Sequence, residues 1–379
     1  MRRARWIAPW KDSETKPAIY HCISRVVDRR FAFGVEEKER FRTLMRMMEK
    51  FTGCRVLSYC LMCNHIHILL EVPPMPEGGL SDAEFLKRLS VLYGEAFVAE
   101  VAGQLDAARH EGGLEGGNPG RVEEIKDRFA YRMHDLGQFM KGLLQRFTQW
   151  FNGRHKRTGT LWEQRFQSVI VEGGVAARTM AAYIDLNPVR AGMVEDPAEY
   201  RWSSYGEAVG GGAKGNGKKA REGLVRAITS DTDAGFDAGK WKEASRKYRR
   251  LMGMALERSR KRLSPQAIRE EGRKTRDLET RDAIQEDETR SMNDAEYLES
   301  GADRCQPLPE LSMAKMLRCR VRYFTDGAVI GSKEFVNEAF AGARERFSEK
   351  RKDGARRMRG SGAAAKGVLW SVRDLRVGI

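Results

Sequence analysis

Two histidines separated by a single residue lie in the aliphatic run "CNHIHILLEV" (63–72). If this run is a strand, His65 and His67 project from one face, and Ile66 and Ile68 project from the opposite, core-facing side. Neutral imidazole nitrogens suit transition metals and accept Mg²⁺ or Mn²⁺ where oxygen atoms complete the coordination shell. The spacing therefore predicts a divalent-cation site on the surface of a sheet. The alternative is a pair of histidines with ordinary hydrogen bonds.

Two cysteines precede the histidines and give the pattern C-x2-C-x-H-x-H, from Cys60 and Cys63 to His65 and His67. A spacing of two residues between cysteines is typical of structural zinc sites. The second pair of ligands usually follows only after about 12 residues, which is enough chain to fold around the ion. Here one residue intervenes, so the pattern disfavours structural zinc.

A nucleophile and a third ligand are candidates in "AAYIDLNPVR", where Tyr183 and Asn187 are four residues apart. On a helix both would face the same way, so that a phenol could attack phosphorus while an amide oxygen helps to hold the ion. The alternative is that Tyr183 is a packing residue and Asn187 ends a helix before Pro188.

The charge of the chain indicates the class of partner. Its 379 residues contain 68 Lys and Arg against 53 Asp and Glu, a net charge of +15, and the pI is near 9.6. Such a balance favours polyanions such as nucleic acid over acidic small molecules. It does not identify the reaction.

The sequence predicts a cytoplasmic, nucleoid-associated protein with no membrane partner. No apolar stretch follows the early positive charges, and no window reaches the roughly 18 apolar residues of a membrane span. The six cysteines are too sparse for a secreted disulfide framework, which fits a reducing compartment.

The elements around the histidines predict an α+β fold. Residues 18–27 are β-branched and aromatic, as in a strand, and 36–53 have apolar residues at spacings of three and four, as in an amphipathic helix closed by Gly53. Residues 54–72 are long enough for two strands with a turn near 62–64.

Helices are expected at 81–101 and 122–152, with a glycine-rich loop between them. A strand is expected at 165–174. A helix at 175–194 must end or kink before Pro188.

The domain boundary is predicted near residue 208, where the composition changes to "VGGGAKGNGKKA". We assign 209–224 to a Gly/Lys-rich linker, in which "GAKGNGKK" resembles a phosphate loop but lacks its Ser or Thr and a preceding strand. We expect a basic, charged helical region at 225–302, including an amphipathic helix at 240–263, and a small C-terminal module at 303–379 that could bind DNA. The C-terminal region is thus expected to be mainly helical and basic.

Four motifs in order, "YHCISR", "LMCNHIHILLEV", "TGTLWEQRFQSVIV" and "YIDLNPVRAGMVEDPAEYRWSSY", together resemble the single-tyrosine HUH transposases, and among them the REP-associated tyrosine transposases of bacteria. HUH stands for His, hydrophobic, His, which here is His65, Ile66, His67. The resemblance covers residues 16–206, with an expanded helical insert at about 76–130, so that 1–208 is expected to form the transposase domain.

The resemblance implies a ferredoxin-like α+β domain with a central antiparallel sheet. It implies that His65 and His67 bind Mg²⁺ or Mn²⁺ and that Tyr183 is the nucleophile, with Asn187, one helical turn later, as a third ligand. The reaction implied is cleavage and rejoining of single-stranded DNA through a 5′-phosphotyrosyl link. A phenol of pKa about 10 needs the metal or a positive neighbourhood to favour its phenolate. Arg190 is a candidate for that neighbour, or else a solvated charge at the helix end.

The partner implied is single-stranded DNA that folds into a hairpin, bound by a monomer or a homodimer. Basic and aromatic residues near the motifs are candidates for contacting phosphates and unpaired bases. His21 is expected to be a hydrogen-bonded structural histidine. The alternative for the basic and aromatic candidates is that the charges are solvated and the rings pack helix ends. The nucleic-acid-binding candidates are Arg25, Arg29, Arg30, Arg154, Lys156, Arg157, Trp162 and Arg165.

Two other functions remain open on the sequence. One is a domesticated DNA-binding protein without catalysis, although no member of the catalytic set is missing. The other is a replication-initiator or relaxase type of nickase, which shares the histidine pair but resembles the motif order less well.

Overall fold

A computed structural model of the protein describes residues 5–111, 117–210, 217–229, 238–262, 324–325, 327–358 and 368–373. The strands in this part of the chain are β1 (Ala18–Arg25), β2 (Arg55–Leu61), β3 (His65–Val72), β4 (Gln167–Val171), β5 (Val329–Gly331), β6 (Arg356–Arg357) and β7 (Trp370–Val372). The α-helices are α1 (Val35–Thr52), α2 (Asp82–Leu89), α3 (Glu95–His110), α4 (Pro119–Ala130), α5 (Leu136–Arg154), α6 (Val175–Asp185), α7 (Asn187–Arg190), α8 (Ser204–Gly210), α9 (Lys218–Thr229), α10 (Ala238–Arg262) and α11 (Lys333–Ala341).

All seven strands form one sheet in the order β2-β3-β1-β4-β5-β7-β6. The first four strands pair with one another only antiparallel: β3 lies between β2 and β1, and β1 lies between β3 and β4. With the inserted helices α2 to α4 set aside, the order along the chain is βαββαβ. The mixed α+β architecture expected from the sequence is confirmed.

Both faces of the sheet are covered, and the strand alternation decides what each side chain meets. Ile66, Ile68 and Leu70 belong to the apolar cluster that also contains the buried residues of α1 and α5. Leu69 belongs to a second cluster, with residues of α6, α9 and α10. His65 and His67, which alternate with Ile66, therefore project towards the α6 side of the sheet.

Helix α1 illustrates how the local sequence determines an element. Five of its apolar residues recur at helical spacing, and these five are at most 3% exposed. The helix ends at Gly53, whose φ of 75° is left-handed and whose N–H donates to the carbonyl of Glu49. The predicted helix and its stop are confirmed. The buried apolar residues are Phe41, Leu44, Met45, Met48 and Phe51.

Each of the two long helices expected in and after the insert is divided. The first becomes α2 and α3, with Gly94 at the N-cap of α3. The second becomes α4 and α5, and the side chain of Asp135 accepts a hydrogen bond from the N–H of Gln138 at the start of α5. Apolar periodicity alone did not reveal these caps. The predicted turn at 62–64, the strand at 165–174 and the break before Pro188 are confirmed.

The predicted linker at 209–224 is wrong at 209–210, which end α8, and at 218–224, which form the first part of α9. A Cβ atom on Gly223 would lie 2.3 Å from the carbonyl oxygen of Val56, so the backbone of α9 lies directly against β2. The glycine at this position permits close packing, whereas composition alone suggested a flexible chain. Residues 211–216 lie outside the described residues.

The C-terminal part of the chain joins the sheet. Strand β5 pairs parallel with β4 and antiparallel with β7. The expectation of a mainly helical C-terminal region is therefore wrong at 329–331, because a buried strand lies there. Most of the expected helical region at 225–302, from 263 onward, lies outside the described residues, as does much of the 303–379 module.

Helix α10 corresponds to the predicted basic helix at 240–263. Tyr248, Leu251 and Met252 are buried against the rest of the protein, and Trp241 is half-buried. Within the described ranges, no helix combines the length and the apolar character that a membrane crossing requires.

Candidate active site

His65 and His67 lie on β3, opposite Arg25 and Ile23 of β1. The sequence predicted a site on the surface of the sheet. Helix α6 instead covers this face, and His67 is only 2% exposed, whereas His65 is partly exposed. The pair thus lies at a buried edge of the α6 side rather than on an open surface.

A chain of hydrogen bonds sets the protonation of the His67 ring. His21 Nδ1 lies 2.9 Å from the carbonyl oxygen of Phe324, and His21 Nε2 lies 2.9 Å from His67 Nδ1. Because a carbonyl only accepts, His21 must donate from Nδ1, and its neutral ring must then accept at Nε2. His67 consequently donates from Nδ1. Its Nε2 keeps a lone pair.

The side chain of Asn64 determines which ring nitrogen of His65 carries the hydrogen. The side-chain amide nitrogen of Asn64 donates to the carbonyl oxygen of Arg29 at 3.1 Å, which fixes the orientation of the amide. The amide oxygen lies 2.6 Å from His65 Nδ1 and accepts its hydrogen. His65 Nε2 therefore also keeps its lone pair.

The surroundings favour neutral imidazoles. Burial lowers the pKa of His65, and the charge of Arg25 lowers it further. Burial, followed by the neighbouring His65 and His21 rings, holds the pKa of His67 well below its ordinary value. Burial also lowers the pKa of His21 to about 4, although its bond to the Phe324 carbonyl acts in the opposite direction. All three rings are neutral at neutral pH, the form in which histidine binds metals.

The two Nε2 atoms, each with a lone pair, are candidate ligands for a divalent cation. The rings are nearly perpendicular, with centroids 5.0 Å apart. Each ring is oriented by a hydrogen bond at its other nitrogen, as is usual for metal-ligating histidines. No group of three His, Cys, Asp or Glu arranged to hold a metal occurs in the described part of the chain. Further ligands would have to be an amide, water or substrate oxygen atoms.

Tyr183 lies on α6 beside the histidines. Its ring centroid is 5.9 Å from that of His67 and 6.0 Å from that of His21. The Arg190 guanidinium lies over the phenol ring at 4.8 Å from its centroid, which supplies positive charge to that neighbourhood. The ring of Phe324 stacks on the ring of Tyr183 with centroids 4.7 Å apart, and Tyr183 is 2% exposed.

Asn187 begins α7, and only Leu186 separates it from the end of α6. Its side-chain nitrogen donates to the carbonyl oxygens of Tyr183 and Ile184, both at 3.2 Å. The Asn187 side chain therefore provides hydrogen bonds to carbonyl groups at the C-terminal end of α6. Its role as a third metal ligand stays a prediction.

The basic candidates fall into two groups. Arg25, Arg29 and Arg30 lie at the end of β1 and in the loop that follows it, beside His65. Arg25 is half-buried and the other two are exposed. Arg154, Lys156, Arg157 and Arg165 lie around the end of α5 and before β4, all on the surface or partly so. Arg154 is paired with Glu36, Nε to Oε1 3.0 Å.

Trp162 is not a base-stacking residue. It is 9% exposed, and its indole N–H donates to Thr148 Oγ1 at 2.9 Å. Its ring packs among those of Phe33, Phe41 and Phe147. The sequence-based expectation is wrong here because the aromatic core under α1 and α5 occupies both the ring and its donor.

Sequence reasoning missed Asn64 and Phe324 and underrated His21. His21 is hydrogen-bonded, as expected, but its partner is the candidate ligand His67. Asn64 directly precedes His65, which was the available signal. Phe324 has no motif that could have indicated it, because only the fold of the C-terminal strands brings it to the site.

Comparisons with known proteins bear on the same segment. Residues 15–78 match the model of a family described as "Transposase IS200 like". No curated protein matches the chain. A solved structure of a REP-associated tyrosine transposase bound to a REP hairpin aligns with 57% of this chain and 87% of its own. Its identity is 14% and its TM-score 0.30, so this likeness supports no argument about fold or function. The segment 15–78, which carries both histidines, is therefore similar to the IS200-like transposases over 64 of the 379 residues.

Proposed function

We propose that this protein is a transposase that cleaves and rejoins single-stranded DNA, with Tyr183 as nucleophile and a 5′-phosphotyrosyl intermediate. The substrate we propose is DNA whose palindromic repeats fold into hairpins, as in the REP-associated tyrosine transposases that the sequence motifs resemble. We place the activity in the cytoplasm, at the nucleoid. The βαββαβ order and the antiparallel order β2-β3-β1-β4 support a ferredoxin-like scaffold.

One observation carries the proposal: the phenol of α6 packs against His67 of β3, with ring centroids 5.9 Å apart. More than one hundred residues of sequence, including the helical insert, separate the two. A phenol, an imidazole pair with Nε2 lone pairs and a guanidinium come together on one side of the sheet. This set can bind a phosphodiester and attack it.

The residues have distinct roles in the proposed step. The phenol oxygen of Tyr183 attacks phosphorus and loses its proton. The bond from phosphorus to the 3′ oxygen breaks, and that oxygen takes up a proton and leaves as a 3′-hydroxyl. The phosphate remains joined to Tyr183 and to the 5′ oxygen of the downstream strand. Attack by another 3′-hydroxyl reverses the step and restores the phenol, so no nucleotide triphosphate is consumed.

His65 and His67 would hold the cation, which we propose to be Mg²⁺ or Mn²⁺. A divalent cation bound there would act as a Lewis acid on the phosphate. Arg190 stabilises negative charge on the phenol oxygen and on the phosphate. His21 and Asn64 hold the two imidazoles in the tautomer that presents Nε2.

The proposal is tested with labelled single-stranded hairpin DNA incubated with Mn²⁺ or Mg²⁺. We expect a covalent protein–DNA adduct from the native protein and none from Tyr183→Phe. Tyr205→Phe is the matched control, because Tyr205 is also 2% exposed but packs against Tyr248. An adduct that persists in Tyr183→Phe overturns the assignment of the nucleophile.

A DNA-binding protein without catalysis is favoured by one observation, the near-complete burial of Tyr183 behind Phe324. Hairpin binding with no adduct in either cation would support that function. The same assay thus separates the two.

A further inference from the structure

The loop that follows β1 has a strained backbone at an exposed position. Asp28 and Arg29 both have positive φ, 57° and 52°. Neither is a glycine, and non-glycine residues in this conformation persist only where the surroundings hold them. Two in succession indicate that the loop is kept in a specific shape.

Three hydrogen bonds hold this loop against the segment just before His65. The N–H of Val26 donates to the carbonyl oxygen of Asn64 at 2.8 Å, and the N–H of Phe33 donates to that of Cys63 at 2.9 Å. The Asn64 side chain donates to the carbonyl oxygen of Arg29 at 3.1 Å. Both ends of the loop and its strained centre are therefore fixed relative to His65.

The tip of the loop presents an aromatic ring to solvent. Phe31 is 63% exposed, whereas Phe33, two residues later, is 4% exposed and anchors the loop in the core. Arg29 and Arg30 directly precede Phe31 and are also exposed. Neither Arg25 nor Arg29 has a carboxylate partner within the described residues, and Arg30 lies 3.3 Å from the exposed Asp28. A ring next to a guanidinium group with no carboxylate partner in the described residues, here that of Arg29, is a combination that binds single-stranded nucleic acid.

We propose that Phe31 stacks on an unpaired base of the DNA and so places the adjoining phosphodiester at the histidine pair, and that Asn64 is the positioning residue that couples this loop to His65. The inference rests on the proposed function and adds to it a base-holding site. Asn64 is suited to the role because its amide nitrogen donates to the loop and its amide oxygen accepts from the His65 imidazole. A base held by stacking is recognised with little regard to its identity, so the site takes single-stranded DNA next to a hairpin rather than one particular base.

The test is equilibrium binding in EDTA, measured by anisotropy of a fluorescein-labelled DNA hairpin with or without a single-stranded thymidine tail of about ten nucleotides. We expect Phe31→Ala to weaken binding of the tailed hairpin about tenfold and to leave the blunt hairpin unchanged. Phe31→Trp should bind like the native protein. Tyr131→Ala is the matched control, because Tyr131 is equally exposed at 63% but lies at the C-terminal end of α4, and it should change neither.

A 2-aminopurine base placed in the tail reports the stacking directly. Its fluorescence should be quenched by the native protein at one tail position and not by Phe31→Ala. Asn64→Ala should lose the quenching and should weaken binding of the tailed hairpin as much as Phe31→Ala does. The variant that carries both changes should bind the tailed hairpin no more weakly than either single variant, because both changes remove the same interaction. If the losses of affinity in the two single variants add up in the double variant, the positioning role of Asn64 is overturned. Binding of the blunt hairpin is the control for folding, because a misfolded variant would lose that binding as well.

The outcomes separate this proposal from the proposed function. If Phe31→Ala binds the tailed hairpin like the native protein, or if the native protein does not distinguish the two DNAs, the stacking site is overturned even when the Tyr183 adduct forms. If the tail affinity and quenching depend on Phe31 but no adduct forms in Mn²⁺ or Mg²⁺, the stacking site stands and the proposed catalysis is overturned.

Discussion

The ring of Phe324 stacks on the ring of Tyr183, with centroids 4.7 Å apart and planes inclined by 17°. Phe324 is 1% exposed and Tyr183 is 2% exposed, so each ring covers the other. The carbonyl oxygen of the same Phe324 accepts the hydrogen bond from His21. One residue near the C-terminal strands therefore contacts both the candidate nucleophile and the histidine chain.

This contact predicts that a smaller side chain at 324 speeds adduct formation. A stacked aromatic pair contributes roughly 0.5–1.5 kcal/mol beyond its buried area, which DNA must displace to reach the phenol. We expect Phe324→Leu to raise the initial rate of adduct formation about 2- to 10-fold at saturating DNA. Phe335→Leu, which changes a buried ring packed on Trp10 instead, should leave the rate unchanged. An unchanged or lower rate in Phe324→Leu would show that the stack does not limit access.

A second prediction concerns the affinity for metal. His21 Nε2 accepts from His67 Nδ1 and so fixes the tautomer of His67. His21→Phe removes the acceptor, and we expect Mn²⁺ binding to weaken by roughly 10- to 100-fold. The measurement is a Mn²⁺ titration followed by electron paramagnetic resonance. His110→Ala, at a side chain that is 77% exposed, is the control. Equal affinity in His21→Phe would mean that the ring of His67 is oriented by other contacts.

The salt dependence of DNA binding separates paired from unpaired arginines. Arg29 is exposed and has no carboxylate partner in the described part of the chain, whereas Arg154 is paired with Glu36. Arg29→Ala should therefore reduce the slope of log affinity against log salt by about 0.7–1, the effect of one lost phosphate contact. Arg154→Ala should change it less. Binding isotherms of single-stranded DNA at several salt concentrations measure both slopes, and equal effects would contradict the distinction.

The stability of the helical insert should depend on pH through the carboxylate of Asp82. Hydrogen bonds from Arg109, with Lys126 as a further partner, lower the pKa of Asp82 to about 2 from 3.8. Because the folded-state pKa is depressed, this stabilisation is fully present above pH 3.8 and is lost as the pH falls through about 2.

Asp82→Asn should accordingly lower the free energy of unfolding by about 1–2 kcal/mol at neutral pH, after allowance for a side chain that is 27% exposed. The difference from the native protein should shrink towards pH 2. Urea titrations at pH 7 and pH 3 measure it. Asp106→Asn, at a 77% exposed side chain on α3, is the matched control. A difference that grows on acidification would contradict the assignment.

Several features of this protein follow from the sequence alone. The alternation in "HIHILL" determines that Ile66 and Ile68 face the core under α1 while the two histidines face the other way. The helical periodicity of α1 and its stop at Gly53 likewise depend on neighbouring residues only. Local steric and hydrogen-bonding rules are sufficient for such features, because their partners lie within one or two turns of chain.

Only the tertiary structure decided the rest. That the histidine face is covered by α6, that Trp162 packs in the core, and that α9 lies on β2 at Gly223 all depend on contacts between distant segments. The contact of Phe324 with Tyr183 and His21 requires β5 to pair with β4, which no local pattern specifies. The physical reason is that burial and packing are properties of the assembled layers, whereas the sequence displays only the periodicity of each element.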